Sequence, residues 1–347
     1  MSKKHQLNTV VLETTRRCNL RCLHCGSDCD TTDSRNELSV SEWQRVFTEL
    51  AALGTEKIVF SGGEAFIKKD FDALLISARL NGLGFGIITN GIVLPDRYLE
   101  LFSTVKPYAI GVSIDGNKDT HNYIRQNSQA WIKSLQTISR LVAAGIPTVV
   151  NTTISKLNYR ELSQIGHTLH TLGVSGWQIQ IAAPMGRMSD SDELLDRQEF
   201  NAVCLELYSL RHRYPEMVIT GADCFGFDHL GLTRAGDWPG CQAGISGLGI
   251  RANGDVVPCL SLYGDQFIIA NVREQSLADI WGNDHYFGFN RKFDVSAVGP
   301  SSRCACCDKL ETCRGGCASM SWSFNAKLHD APFCVYRDFE TDNHGRK

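Results

Sequence analysis

Six short β-branched runs alternate with helical periodicity through the middle of this chain, and that alternation restricts the fold more than any other feature. TVVLETT (9–15), KIVFSGG (57–63), FGIITNG (85–91), AIGVSID (109–115), PTVVNTTIS (147–155) and WQIQIAAP (177–184) read as strands, because Val, Ile and Thr dominate and Gly, Asp or Pro stops them. Between them apolar residues recur at helical spacing: Trp43, Val46, Phe47, Leu50 and Leu53; Trp131, Leu135, Ile138 and Val142; Leu162, Ile165, Leu169 and Leu172. Ser39 followed by Glu42 is a capping box for the first of these helices. Core packing accounts for all of these hydrophobes. Strands alternating with helices imply a parallel α/β sheet with right-handed crossovers, either open and doubly wound or curved into a partial barrel. In both cases functional groups belong at the C-terminal ends of the strands.

The chain has 347 residues, with 35 Lys and Arg against 38 Asp and Glu, so its formal charge of -3 gives no general reason to expect nucleic acid or an anionic membrane as partner. The opening MSKKHQLNTVVLETT has no apolar signal region, and no stretch reaches the roughly 18 uninterrupted apolar residues of a membrane span. A cytoplasmic location is the expectation. After the sixth strand glycine and cysteine increase and helical periodicity breaks up, which places a boundary near residues 213–220 and two domains at 1–215 and 216–347.

Fourteen cysteines are the compositional excess. With no export signal, and in a chain long enough to need no stapling, a disulfide framework is the poorer reading. Cys18, Cys22, Cys25 and Cys29 lie near the N-terminus, and the other ten fall between Cys204 and Cys334. Two metal-rich regions follow. C-x3-C-x2-C over Cys18, Cys22 and Cys25, just after the first strand, supplies three thiolates and leaves one ligand position open. Zinc completed by His24 or Cys29 is one reading of that set, and an iron–sulfur cluster with an unligated iron is the other.

C-x3-C-x-aromatic-C after the first strand and Ser61-Gly-Gly-Glu64 at the end of the second resemble the radical S-adenosylmethionine enzymes. Thr89-Asn90-Gly91 and Ser113-Ile-Asp115-Gly follow at the ends of the third and fourth strands, in the same order. The resemblance implies a partial (β/α)6 TIM-like barrel, open at the side, and a 4Fe-4S cluster on Cys18, Cys22 and Cys25. It implies S-adenosylmethionine contacts from His24 near the adenine, Gly62, Gly63 and Glu64 on the amino group, Ser113 on the ribose and Arg125 on the carboxylate, with Asn90 and Asp115 beside them.

Downstream, Cys241-x12-Gly254-x4-Cys259, Cys304-x2-Cys307-x5-Cys313-x3-Cys317 and Cys334 are similar to the SPASM extension of that family, although C-x2-C pairs also serve zinc ribbons. The resemblance implies two auxiliary 4Fe-4S clusters, three clusters in all. The first takes Cys241, Cys259 and Cys317, and the second Cys304, Cys307, Cys313 and Cys334. No cysteine lies between Gln242 and Pro258, so the first auxiliary cluster has an open iron or borrows Cys224 or Cys306. Cys29 and Cys204 have no place in this scheme, and Cys204 reads as a buried thiol.

SPASM enzymes commonly modify peptides, so the resemblance implies a maturase that cleaves S-adenosylmethionine reductively and oxidises a peptide by cross-link, thioether or side-chain oxidation. The alternative is a small metabolite or cofactor precursor as substrate. A purely electron-transferring protein would leave Gly62, Gly63, Glu64 and Ser113 without purpose. Expected partners are a precursor peptide, an external donor such as flavodoxin or ferredoxin, and a separate leader-binding protein, since neither end of the chain has room for a winged-helix module. Asp223 and Asp228 are the candidate catalytic acids.

Overall fold

The computed structural model of the chain describes residues 5–29, 36–234 and 238–340, so the outermost residues of both expected domains lie outside it. All six expected strands form: β1 (Thr9–Glu13), β2 (Lys57–Ser61), β3 (Gly84–Thr89), β4 (Ala109–Ser113), β5 (Thr148–Ile154) and β6 (Gly176–Ile181). They pair in parallel, in chain order. The helices α1 (Val40–Ala52), α2 (Phe71–Leu80), α3 (Asp96–Val105), α4 (Lys118–Arg125), α5 (Ala130–Ala143), α6 (Leu162–Leu172) and α7 (Arg197–Arg213) run between and after them. α1, α2 and α3 pack each on the next, and so do α4, α5, α6 and α7. They therefore form one outer layer and leave the other sheet face to a lumen, the arrangement of a partial barrel.

The sheet continues past six strands. β7 (Val218–Gly221) joins β6 in parallel, and at the opposite edge β8 (Gly247–Ile250) joins β1 in parallel. β9 (Asp255–Val257) and β10 (Ala270–Asn271) extend that edge antiparallel. The order is β10-β9-β8-β1-β2-β3-β4-β5-β6-β7, with two free edges, so the barrel stays open. VITG and GLGI are four residues each, too short for alternation to register in the sequence. Both lie beyond the 215/216 boundary, and the sheet crosses it at both edges.

Outer positions of the strands pack under the helices, where Trp43, Phe47, Phe60, Phe71 and Phe85 form a chain of ring contacts between α1, β2, β3 and α2. α1 starts at the expected capping box, Ser39 with Glu42. Inner positions are polar toward one end: Asn151 and Thr153 on β5, and Gln178 and Gln180 on β6, alternate with buried Val150, Thr152, Ile154 and Ile179.

α5 departs from its expected face. Of Trp131, Leu135, Ile138 and Val142 only Ile138 is fully buried, and the inward stripe is Ala130, Ser134, Thr137, Ile138 and Leu141. The reason is hydrogen bonding. Ser134 Oγ donates to Asn90 O and Thr137 Oγ1 to Gly91 O, each at 2.8 Å, and both acceptors belong to the turn after β3. A purely apolar stripe would leave those carbonyls unpaired in the interior. Replacing Thr137 by Val should therefore cost about 1–3 kcal/mol by denaturant titration, the usual penalty of an orphaned buried acceptor. Ile132→Ala, on the exposed side of the same helix, should stay within about 0.5 kcal/mol.

Candidate active site

The loop that follows β1 carries Cys18, Cys22 and Cys25, and three backbone contacts fix it. Gly63 N–H donates to Thr15 O at 2.7 Å and Glu64 N–H to Arg17 O at 2.8 Å, so the end of β2 lies directly on the loop. A β-carbon at Gly63 would stand 2.1 Å from Arg17 O, which explains why glycine is needed there. From the opposite side, the segment after β6 clamps the loop: Arg187 N–H meets Cys25 O at 3.1 Å, and its guanidinium donates to Cys22 O, Asp28 and Cys29 O. Gly186 permits that approach, since a β-carbon would lie 2.2 Å from Cys25 O.

Glu64 is fully buried and accepts from Thr89 Oγ1, Asn90 N–H and Phe66 N–H, tying the end of β2 to the end of β3. Burial pushes its carboxyl up to about 7, against the pull of those hydrogen bonds. Its oxygens are thus engaged within the fold, whereas the Gly62 and Gly63 carbonyls accept no hydrogen bond among the described residues. Asn90 reaches the loop too, donating to Asn19 Oδ1 at 2.7 Å.

A second carboxylate organises the end of β4. Asp115 is completely buried; His24 Nε2 lies 2.8 Å and Arg125 Nη2 2.6 Å from its Oδ2. Burial alone would raise its carboxyl, but Arg125 and His24 outweigh that and hold it well below the usual carboxylate range. Arg125 also donates to Cys22 Sγ at 3.6 Å. His121, one helical turn earlier, accepts the Asp115 backbone N–H on Nδ1, and burial holds it neutral with its pKa pushed down to about 3. His24, Asp115 and Arg125 are therefore one network rather than three independent contacts.

Cys18, Cys22, Cys25 and Cys29 line a cavity of about 140 Å³ together with Gly62, Gly63, Thr89, Asn90, Ser113, His24 and Arg125. Every residue expected to touch S-adenosylmethionine, apart from Glu64 and Asp115 behind the wall, faces that one space. Burial pushes the Cys18 thiol up to about 11 and raises Cys22, so ionised sulfurs there call for a bound cation. The donor set fits an iron–sulfur cluster, as three thiols converge on a polar recess with hydrogen-bonding groups on its far side. The hydrogen bond from Cys29 holds Cys25 below the ordinary thiol range and pushes Cys29 above it.

This cavity meets a larger chamber of about 710 Å³ in the barrel lumen. Its wall takes Glu13 from β1, Thr153, Gln178 and Gln180 from β5 and β6, Asp223 and Cys224 after β7, and Cys259, Tyr263, Cys317 and Met320 from the cysteine-rich region. His24 and Cys25 belong to both spaces. None of its described lining residues is Lys or Arg. Glu13 is buried, and burial raises its carboxyl against a hydrogen bond from Ala252 N–H. Asp223 faces the chamber, its carboxyl raised by the surrounding walls and pulled back by Arg234. Asp228 does not line it; both of its oxygens hold the 232–234 backbone and Thr233 Oγ1.

The C-terminal thiols fall into two groups. Cys241, Cys259 and Cys317 act electrostatically on one another, and burial raises Cys259 to about 11 and Cys317 further. Cys304, Cys307, Cys313 and Cys334 form the second group, in which burial pushes Cys313 up to about 12 with Cys334 adding to it. Thiols raised by burial suit metal clusters in both places, although Arg314 acts electrostatically on Cys241 and Cys313 and Arg303 on Cys334. Cys224 borders the chamber with Cys259 and Cys317, whereas Cys306 is exposed. Cys204 is buried within α7, as expected.

Sequence reasoning overlooked Arg187, Glu13, Gln178 and Gln180. The alternation Gln178-Ile179-Gln180-Ile181 was the available signal, since polar residues at every second strand position mark a hydrated face.

Comparison with known proteins follows the same lines. Residues 12–169 match the model of the radical SAM superfamily, and residues 241–308 match SPASM, an iron–sulfur cluster-binding domain. The AdoMet-dependent heme synthase of Methanosarcina barkeri is 26% identical over 94% of this chain and 96% of its own. The sporulation killing factor maturation protein SkfB of Bacillus subtilis is 28% identical over 78% of this chain and 64% of its own. Streptococcus suis SuiB bound to S-adenosylmethionine shares the fold, with a TM-score of 0.76 at 17% identity, covering 97% of this chain and 78% of SuiB.

The Gly63 contact generates a test. Gly63→Ala should displace the cysteine loop and remove iron from the N-terminal site while the C-terminal iron stays, read by iron and sulfide analysis with Mössbauer spectra. Full iron retention in this variant would contradict the bracing described for Arg17 O.

Proposed function

The chain is a radical S-adenosylmethionine enzyme with a SPASM domain, and from that premise we propose that it oxidises a peptide held in the barrel lumen. In this reading Cys18, Cys22 and Cys25 hold the catalytic 4Fe-4S cluster, which when bound supplies the electron that releases a 5'-deoxyadenosyl radical from S-adenosylmethionine. The backbone of Gly62 and Gly63 receives the methionyl amino group, because the Glu64 carboxylate is already engaged by β3. Arg125 meets the methionyl carboxylate, with Asp115 orienting it, and Ser113 meets the ribose. His24, anchored by Asp115, stands between the S-adenosylmethionine recess and the chamber. Cys241, Cys259 and Cys317 hold one auxiliary cluster at the far side of the chamber, and Cys304, Cys307, Cys313 and Cys334 hold a second behind it.

The observation that carries the peptide reading is the chamber wall. Gln178, Gln180, Thr153, Ser261 and Ser319 offer amide and hydroxyl partners for a peptide backbone, and none of the described lining residues is a Lys or Arg to pair an anionic metabolite. The open edge of the barrel leaves a way in for an extended chain. A small metabolite or cofactor precursor is the second reading, favoured by the match to a heme synthase along nearly the whole of both chains. An anionic precursor would face Glu13 and Asp223 with no Lys or Arg among the described lining residues to pair it, which weighs against it.

Three outcomes test this proposal. The anaerobically reconstituted protein should contain iron and sulfide for three 4Fe-4S clusters; stoichiometric zinc with iron for one cluster would remove the SPASM part of the assignment. Changing Cys18, Cys22 and Cys25 together to Ala should bring 5'-deoxyadenosine formation to background and leave the C-terminal clusters in the Mössbauer spectrum. Incubated with S-adenosylmethionine, a one-electron reductant and peptides encoded beside its gene, the enzyme should yield a peptide lighter by two hydrogens. Turnover of a small metabolite instead, with deuterium transfer to deoxyadenosine and no change in any peptide mass, would replace the peptide reading with the second one.

A further inference from the structure

Oxidation of a substrate carbon removes two hydrogens, and only one of them leaves as the atom that a 5'-deoxyadenosyl radical takes. The other leaves as a proton, so the lumen needs an acceptor near the radical source. Thr9, Val11 and Glu13 are the alternate residues of β1 that line the chamber, while Val10 and Leu12 pack outward into the core. Glu13 ends that row. It stands opposite Ser61 in the pairing of β1 with β2, and Ser61 and Gly62 line both the S-adenosylmethionine recess and the chamber. The Glu13 carboxylate is 3% exposed and accepts the Ala252 N–H on Oε1 at 3.3 Å. The arginines that act on it are bound elsewhere: Arg16 donates to Tyr263 Oη and Ser27 O, and Arg251 to Gly264 O. Asp223, the other carboxylate of the chamber wall, is exposed and lies 3.5 Å from Arg234, a cation that makes it the weaker proton acceptor.

We propose that Glu13 is the catalytic base that accepts the proton lost when the substrate radical is oxidised. The inference rests on the peptide-oxidation reading above. The step balances. The C–H bond breaks homolytically and its hydrogen goes to 5'-deoxyadenosine; the carbon radical gives one electron to a 4Fe-4S cluster of the C-terminal cysteines; a neighbouring N–H, O–H or S–H gives its proton to Glu13, and the electron pair left behind forms the new bond to carbon. Burial raises the Glu13 carboxyl above the ordinary glutamate value, against the Ala252 hydrogen bond, Arg16 and Arg251, with Glu37 adding to the rise. A carboxylate poised nearer neutral pH is the better acceptor. Besides Arg16 and Arg251, the groups coupled to Glu13 are Cys29 in the cysteine loop, Tyr263 after β9 and Glu37 before α1, the last held by Lys68 at 3.1 Å.

The experiment takes the full, reconstituted protein and the peptide encoded beside its gene that loses two hydrogens, deuterated at the carbon attacked, and reads oxidised peptide and deuterated 5'-deoxyadenosine from the same samples across pH. E13Q keeps an oxygen for the Ala252 N–H, and its ratio of oxidised peptide to deuterated 5'-deoxyadenosine should fall about 100-fold, the low end for loss of a general base. In the wild-type protein that ratio should rise with pH as Glu13 ionises, because only the carboxylate accepts a proton. E13Q should lack the rise and E13D should keep it. Independently of turnover, infrared spectra of the wild-type protein should show a carboxylic C=O band that disappears as pH passes a midpoint above that of free glutamate, and E13Q should lack this band. An unchanged ratio in E13Q, or the same pH dependence in both proteins, overturns the proposal. Loss of cluster iron in E13Q overturns it as well, since Glu13 would then serve only to brace β1 against the turn after β8. If the wild-type protein makes no lighter product from any of these peptides, the oxidation reading itself falls, and the role of Glu13 with it.

Discussion

The close approach of two strand ends governs the rest of the site. Where β1 and β2 finish, the N–H groups of Gly63 and Glu64 bond to Thr15 O and Arg17 O, and this fixes the point from which the cysteine loop departs. The approach tolerates no side chain at position 63. Because the loop starts from a defined position and is gripped at its far side by Arg187, three thiols meet in one recess without any regular element between them. Loops are ordinarily the loosest part of a parallel α/β fold, and here backbone bonds from two different strand ends remove that freedom.

Two buried carboxylates divide the remaining work. Glu64 joins β2 to β3 through two of its three accepted hydrogen bonds, and Asp115 joins β4 to α4 and to the cysteine loop through Arg125 and His24. Their electrostatic fates differ for a simple reason. Glu64 has only neutral donors, so burial wins and its carboxyl rises, whereas Asp115 has a guanidinium against it and stays ionised. The ion pair with Asp115 orients Arg125 beside Cys22, which is the preorganisation a charged ligand needs.

The chamber links the two cysteine-rich parts of the chain. β8, from beyond the expected boundary, pairs with β1, and the loop after β9 carries Cys259 and Tyr263 to the chamber that Cys25 also lines. Arg16 donates to the Tyr263 hydroxyl and to Ser27 O, so the N-terminal loop and the C-terminal region are also tied at the chamber rim. In consequence the lumen has one wall from the barrel and another from the cysteine-rich region, and a substrate lying between them meets both.

What the sequence determined by itself was the local and the periodic. Six strands, the capping box at Ser39 and the cysteine groups were all legible, because β-branched runs, capping and ligand spacing act over a few residues. The strand ends were legible for the same reason, since Gly62-Gly63, Asn90 and Ser113 stop their strands where a parallel fold places its chemistry. Only the tertiary structure decided the rest. The four-residue β7 and β8 are stabilised by neighbours far away in sequence, not by their own pattern. Ser134 and Thr137 turned α5 away from its most apolar stripe because two carbonyls after β3 accept their hydroxyls and no other donor among the described residues. Glu64, expected at the ligand, was drawn into the fold by Thr89 and Asn90, and Asp228 by its own loop. Arg187 reached the cysteine loop across 165 residues, a contact no spacing rule could register. Each of these outcomes depends on satisfying buried polar groups across distant segments, and that requirement exists only once the chain has closed around them.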